Sequence, residues 1–510
     1  MKLALFSLLV WAAWAESPAL RTLDSGFPMQ PVAEIADWPE RRAEIRSRIL
    51  VAAGLHPMPI RSPLRAIIHG KIQRPEYSVE RVILESFPCH FVTGSLYRPK
   101  NASGRRPALL SPHGHWRGGR FYDCGAARVA QEIAQGAEQL AIGGRHPIQA
   151  RCVQLARMGC IVFVYDMEGY ADSVQLEHRC APGRGPGLLG SPQAELQGHT
   201  IFGLQTWNSL RALDFIAALP DVDTNRIGVT GASGGGTQSM VLSAIDDRIA
   251  AAFPAVMVSE GMQGGCTCEN APHLRISQGN IDIAAATAPR PLGLTAANDW
   301  TKKLETKGHP QLTALYARLA AESAYEAHFH IEFTHNFNAV NRQHLYHFVN
   351  RHFKLGFTEP ITERDYQPLA LEIEASVWNA AHPKPSGDQV GVAHERQLLT
   401  VWKAATDAAW SAMDAPTRQA TIMEGLAILL PAWLASGEEL PKNAQLTISG
   451  NGKHDYQRAL CYTYGYNPAP LARRGLAGYE SFDFGSINRL DHPMLLPGVT
   501  RYLNLPAAPQ

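Results

Sequence analysis

The stretch RIGVTGASGGGT, residues 226–237, decides the reading of this chain. It holds G-x-S-x-G with Ser233 at its centre, after an apolar β-branched run and before small residues that can open a helix. Strand, very tight turn and helix are the context of a nucleophile elbow. A Cβ on either side of the serine would clash in so tight a turn, which is why glycine stands there. The turn lifts the serine hydroxyl off the sheet edge toward a substrate carbonyl. A serine so placed implies acyl transfer, which needs a base, an acid and an oxyanion hole from elsewhere in the chain.

Working outward, apolar runs alternate with helical patterns. Residues 107–111, 160–166, 249–258, 291–297 and 329–333 read as strands, and 147–158, 207–219 and 340–353 as helices. That alternation predicts an α/β fold with a mainly parallel central sheet and flanking helices, and the elbow makes it an α/β-hydrolase fold. Residues 79–97 read as paired antiparallel strands and 35–53 as a helix. Residues 118–145 read as an irregular insertion. The Gly- and Pro-rich stretch 169–199 is too long for an ordinary connection and reads as a binding loop or cap. Past Gly356 the pattern changes, with a break at Pro383, Pro385 and Gly387, helical stretches at 395–411 and 419–435, and a strand-like run at 446–449. The predicted division is a signal peptide at 1–15, an N-terminal helix and antiparallel strands at 16–105, and a catalytic domain at 106–356. A smaller C-terminal extension follows at 357–510, read as a reduced second α/β unit or a mostly helical region.

In the hydrolase fold the triad runs Ser, acid, His along the chain, each on a loop after a strand. Asp299 follows the 291–297 strand and His335 follows the 329–333 strand, so both leave the sheet at the edge where the elbow lies. A serine hydroxyl is a weak nucleophile at neutral pH, so His335 is assigned to take its proton. Asp299 is assigned to hold the imidazole's tautomer, with Glu260, after the preceding strand, as the alternative acid. The oxyanion donors are the backbone N–H groups of Gly234 and of His115 in the loop Pro112-His113-Gly114-His115. Trp116 and Trp300 flank this centre and are candidate substrate-stacking residues, or ordinary core tryptophans.

A net charge of +1 on 510 residues, with no basic run interleaved with aromatics, argues against a nucleic-acid partner. Lys2, the apolar run 3–14 and Ala13-Trp14-Ala15 read as a secretory signal cleaved after Ala15, which predicts a secreted or periplasmic protein. That run is too short for a bilayer span of roughly 20 residues, so no membrane association is expected after cleavage. Eight cysteines in an exported chain allow disulfides, and one or two are expected, with connectivity unread. Cys266-Thr267-Cys268 is one residue short of C-x-x-C, and no second pair completes a zinc set, although Glu269 and His273 lie close by. No metal and no cofactor is therefore expected. The turn at 231–236 fits the dinucleotide fingerprint poorly, since Ser233 occupies the second glycine position.

Several segments resemble the secreted bacterial acetyl xylan esterases and their relatives in the α/β-hydrolase superfamily. They are His113-Gly114, QARCVQLARMGC at 149–160, YDMEGYADS at 165–173 and LRALDFIAALPDVDTNRIGVTGASGGGTQ at 210–238. APRP at 288–291, AANDWT at 296–301 and the Thr334-His335 loop complete the set. The resemblance covers about half the chain and implies a serine esterase acting on a small ester or an acylated carbohydrate. It supports Ser233, Asp299 and His335 as triad and Gly234 and His115 as oxyanion donors. Glucuronoyl esterases, related in reaction, carry a positively charged residue after the elbow serine, where this chain has Gly234. A prolyl-oligopeptidase-like serine peptidase is a further alternative, but no run of blade-length repeats for its propeller is present. A non-catalytic binding protein that keeps the fold is the third.

Overall fold

The computed structural model describes residues 27–429, apart from 101–102, 179–187, 192–193, 195–196, 262–265, 272, 276 and 371–373, together with 449–451 and 481–483. The expected signal peptide at 1–15 and most of 430–510 lie outside the described residues.

The strands are β1 (Ile67–Gln73), β2 (Tyr77–Phe87), β3 (His90–Pro99), β4 (Arg106–Leu110), β5 (Ile161–Tyr165), β6 (Val222–Ala232), β7 (Ile249–Ala255), β8 (Leu292–Ala297) and β9 (Tyr325–His330). They form one sheet in the order β1-β2-β3-β5-β4-β6-β7-β8-β9. β1, β2, β3 and β5 pair antiparallel, and β5 through β9 pair parallel, so this is an α/β-hydrolase fold. Every residue of β5 and β8 is buried, as befits strands covered by helices on both faces.

The helices are α1 (Trp38–Ala52), α2 (Ala126–Ala134), α3 (Ala141–Arg145), α4 (Pro147–Arg157), α5 (Ile201–Ala217), α6 (Gly234–Ile245), α7 (Asn280–Ala285), α8 (Gly308–Arg318), α9 (Ala339–Phe353), α10 (Gly391–Ser411) and α11 (Ala415–Leu429). The 118–145 stretch therefore carries α2 and α3 where an irregular insertion is expected. α5 starts six residues earlier than the apolar pattern predicts. The Thr200 hydroxyl accepts from Gly203 N at 3.0 Å and so fixes the helix start. β9 ends at His330, short of the expected 333, because its partner β8 stops at Ala297, which pairs with His330. Without a partner strand the chain turns, with Phe333 N bonded to His330 O at 3.1 Å.

Apolar side chains fill both faces of the sheet. One core joins α1, α5, α6 and α7 with Trp402 and Leu398 of α10. The other joins α4 and α9 with Ile361, Leu369 and Ala375. Residues beyond Gly356 thus pack on the hydrolase body as far as α11. His394 of α10 is buried against His90 at 3.0 Å, and His90 against Glu168 at 3.0 Å. Residues 449–451 and 481–483 form a separate antiparallel pair of strands. Six cysteines fall among the described residues and all are free thiols; Cys180 and Cys461, which bear on the expected disulfides, lie outside them. Among the described residues no helix is long and apolar enough to cross a membrane.

Candidate active site

Ser233 sits between β6 and α6 with φ 57° and ψ −128°, a conformation that side-chain-bearing residues rarely adopt. Such strain costs on the order of 1–3 kcal/mol and persists where the surroundings over-determine it. Here the surroundings are backbone. A Cβ on Gly231 would lie 2.4 Å from Pro112 O, and one on Gly235 would lie 2.3 Å from the same oxygen. The glycines let the elbow press directly against the loop after β4. Gly234 is the first residue of α6, and its missing Cβ would lie 3.2 Å from His115 Cε1. The two residues assigned as oxyanion donors are therefore neighbours.

The loop after β4 is held from below by His113, which is fully buried. Its Nδ1 is 2.9 Å from Gly114 O and its Nε2 accepts from Met167 N at 3.2 Å. Burial pushes its pKa down to about 3, so the imidazole is neutral and acts as a strut.

Asp299 and His335 come together although 36 residues separate them. Asn298 N donates to Phe333 O at 2.8 Å and ties the loop after β8 to the turn after β9. His335 Nδ1 then lies 2.6 Å from Asp299 Oδ2. Asp299 Oδ1 accepts from Thr301 N at 2.6 Å and from the Thr301 hydroxyl at 2.5 Å, which fixes the carboxylate plane. Glu260 faces elsewhere: its Oε1 accepts from Gln311 Nε2 at 2.8 Å. Both tryptophans lie on the imidazole. The Trp300 ring centroid is 4.5 Å from that of His335, and Trp116 lies parallel to it at 6.1 Å. Among the described residues no hydrogen bond joins the Ser233 hydroxyl to His335, whose bond goes to Asp299. Such contacts commonly tighten only when substrate is bound.

A cleft of about 250 Å³ opens beside His335, lined among others by Trp116, Tyr122, Arg128, Glu132 and Asn336. Arg128 donates to the Thr334 hydroxyl at 2.8 Å and pairs with Glu132. Asn336 Nδ2 donates to Glu132 at 3.0 Å. The lining is thus part polar and part aromatic, which suits an amphipathic ligand.

The far side of Gly234 holds a feature that sequence spacing missed. His115, His178, Cys266 and Cys268 converge, with one donor atom from each lying within 4.8 Å of all the others. His115 Nε2 is 3.1 Å from Cys268 Sγ, and His178 Nε2 is 3.4 Å from Cys266 Sγ. The neighbouring Cys268 thiol and the two imidazoles hold Cys266 well below the usual thiol range, while burial pushes Cys268 up. Only the C-x-C was visible in the sequence. Its histidine partners lie 88 and 153 residues away in the chain, with no local pattern to announce them.

An acetyl xylan esterase family model matches residues 144–258, which span α4, β5, α5 and the elbow. The chain is 27% identical over 306 residues to the hydrolase YtaP of Bacillus subtilis (strain 168), covering 56% of this chain and 91% of that protein. It is 27% identical over 154 residues to a 4-O-methyl-glucuronoyl methylesterase of Cerrena unicolor, covering 29% of this chain and 32% of that one. Among solved structures, the methylesterase BT1017 superposes with a TM-score of 0.54 at 26% identity, covering 73% of this chain and 78% of that chain.

Proposed function

We propose, from the premise that this chain is a carboxylic ester hydrolase of the α/β-hydrolase superfamily, that it deacetylates carbohydrate of the xylan type through Ser233, His335 and Asp299. The observation that carries the reading is the 2.6 Å bond between His335 and Asp299 in a fold that also holds a serine in a strained strand-to-helix turn. The Ser233 hydroxyl attacks the ester carbonyl as His335 Nε2 takes its proton. The negative charge that develops on the carbonyl oxygen meets the N–H groups of Gly234 and His115. The tetrahedral intermediate collapses, and His335 returns the proton to the leaving sugar hydroxyl. Water then repeats the sequence on the acyl-enzyme and releases the acid. Asp299 keeps the Nδ1 proton on the imidazole throughout and stabilises the imidazolium. Trp116 and Trp300 present apolar faces on which a sugar ring can stack. Cleavage after Ala15 and export place the enzyme where such a polymer is met.

A second reading is favoured by the likeness to two methylesterases. In it the carboxyl belongs to a sugar acid and the leaving group is methanol. The Arg128 guanidinium at the cleft rim, beside Thr334, suits the acidic product. One experiment separates the two. Purified protein is incubated with acetylated xylan and, separately, with a methyl glucuronate ester, and acetate and methanol are measured, with Ser233→Ala as the control. Acetate release supports the first reading, and methanol alone moves the substrate to the second. Inactivity on both and on p-nitrophenyl acetate defeats the assignment of the triad.

A further inference from the structure

We propose that His115, His178, Cys266 and Cys268 form a zinc site that clamps the loop bearing the two cysteines onto the back of the elbow. The donor set is two imidazoles and two thiols, the mixed N₂S₂ set that favours tetrahedral zinc. Tetrahedral zinc, with Zn–S near 2.3 Å and Zn–N near 2.0–2.1 Å, separates its ligand atoms by about 3.3–3.8 Å. The two close pairs here are both nitrogen–sulfur, for which that geometry gives about 3.5 Å; one, at 3.4 Å, matches it and the other, at 3.1 Å, lies just below. The remaining pairs lie within 4.8 Å, so side-chain shifts of at most about 1 Å close the set around an ion. Both sulfurs donate to the ion as thiolates, and any thiol proton still held is released to solvent on binding.

The surroundings are arranged as metal-bound histidines require. His178 Nδ1 donates to Glu168 O at 2.8 Å, which leaves the Nε2 lone pair facing Cys266. His115 turns its Nδ1 toward the Glu269 carboxylate, 3.9 Å away, and its Nε2 toward Cys268. Glu269 is buried, and its other oxygen accepts from Cys266 N at 3.3 Å. The carbonyl bonded to His178 fixes that ring's orientation and raises its basicity, while Glu269 acts on His115 through its charge alone. A dication with two thiolates is neutral overall, so the buried set costs little once filled.

Four protein ligands complete the tetrahedron and leave no position for water, so the ion is structural. Its target is the backbone. His115 belongs to the loop that the Gly231 and Gly235 contacts press against the elbow, and its ring lies against Gly234. Pinning this ring fixes the peptide assigned to the oxyanion hole. The effect on turnover rests on that assignment, whereas the metal site stands on the four side chains alone.

The test is metal analysis of the purified full-length protein, reduced and dialysed, by plasma mass spectrometry. The expected content is about one zinc per chain, falling below about 0.1 in the Cys266→Ser/Cys268→Ser double variant. In wild-type protein stripped with chelator, cobalt(II) should produce thiolate-to-metal charge transfer and the intense visible bands of a tetrahedral centre. Chelator should also lower the Tm of the wild type. Reduced wild-type protein that takes up less than about 0.1 equivalent from excess zinc overturns the proposal. So does a Cys266–Cys268 disulfide found in the untreated protein by intact mass and peptide mapping. The wild-type measurements decide even if the double variant does not fold. Zinc bound without p-nitrophenyl acetate hydrolysis keeps the site and rejects the esterase mechanism, while hydrolysis without zinc does the reverse.

Discussion

The candidate site draws on two sets of histidines. On one side His335 is about a quarter exposed, opens on a cleft and binds the Asp299 carboxylate. On the other side His178, Cys266 and Cys268 are buried, and His115 turns inward to meet them. In the roles proposed for them, the same imidazole chemistry serves two ends because solvent access differs. A base that trades protons with substrate needs an open face and a carboxylate to steady its charge. A ring that only holds a loop is better dry, with its second nitrogen tied to the protein. His113, buried beneath the same loop, is the limiting case, held neutral chiefly by desolvation, with Arg120 acting in the same direction.

The most severe way to break this comparison is at the serine. Ser233→Ala should lower kcat on p-nitrophenyl acetate by about 10⁵–10⁶-fold while leaving the Tm within a few degrees, because triad members act as a unit. Retained turnover would place the nucleophile elsewhere. Next, Asp299→Asn should lower kcat by about 10³–10⁴-fold through the wrong imidazole tautomer. Glu260→Gln, bonded to Gln311 on another face, should change it by no more than about threefold. A larger loss at Glu260 than at Asp299 would reverse the assignment of the acid.

The buried flank is sharpened by pH. His113 has its folded pKa lowered from 6.5 to about 3, so between those values the unfolded chain binds a proton that the folded chain refuses. Its contribution is therefore flat above about pH 6.5, declines as pH falls, and levels off near 3. At pH 5 this amounts to about 2 kcal/mol lost relative to pH 7. His344, near 3, and His394, near 4, act in the same direction. Urea unfolding of His113→Asn at pH 7 and pH 5 should show a smaller acid loss than the wild type; an unchanged loss would mean that His113 is protonated in the folded state. Among the residues assigned a role, the smallest effect is expected at the cleft. Trp300→Ala should raise KM for acetylated xylan by about tenfold, a little over 1 kcal/mol, and more than it raises KM for p-nitrophenyl acetate. Equal changes would assign Trp300 to holding His335 and not to the sugar.

How much was legible follows from how local each signal is. The elbow is written in consecutive residues, because strand, turn and helix are all set within residues 226–245, and the glycine contacts explain each required position. The order of strands and helices was legible for the same reason. Strand ends were not. β9 stops where β8 stops, a matter of partner length that no property of residues 325–333 encodes.

The sequence by itself determined the hydrolase scaffold, the strained serine and the two loops from which an acid and a base emerge. Only the tertiary structure decided which acid meets His335, because the bond from Asn298 to Phe333 joins loops that are far apart in the chain. Only it showed that a C-x-C pair, a histidine after β4 and a histidine after β5 share one small volume. The physical reason is the same in both cases. Periodicity and turn chemistry act over a few residues, whereas a hydrogen-bonded pair or a ligand set depends on how the sheet stacks its loops at one edge.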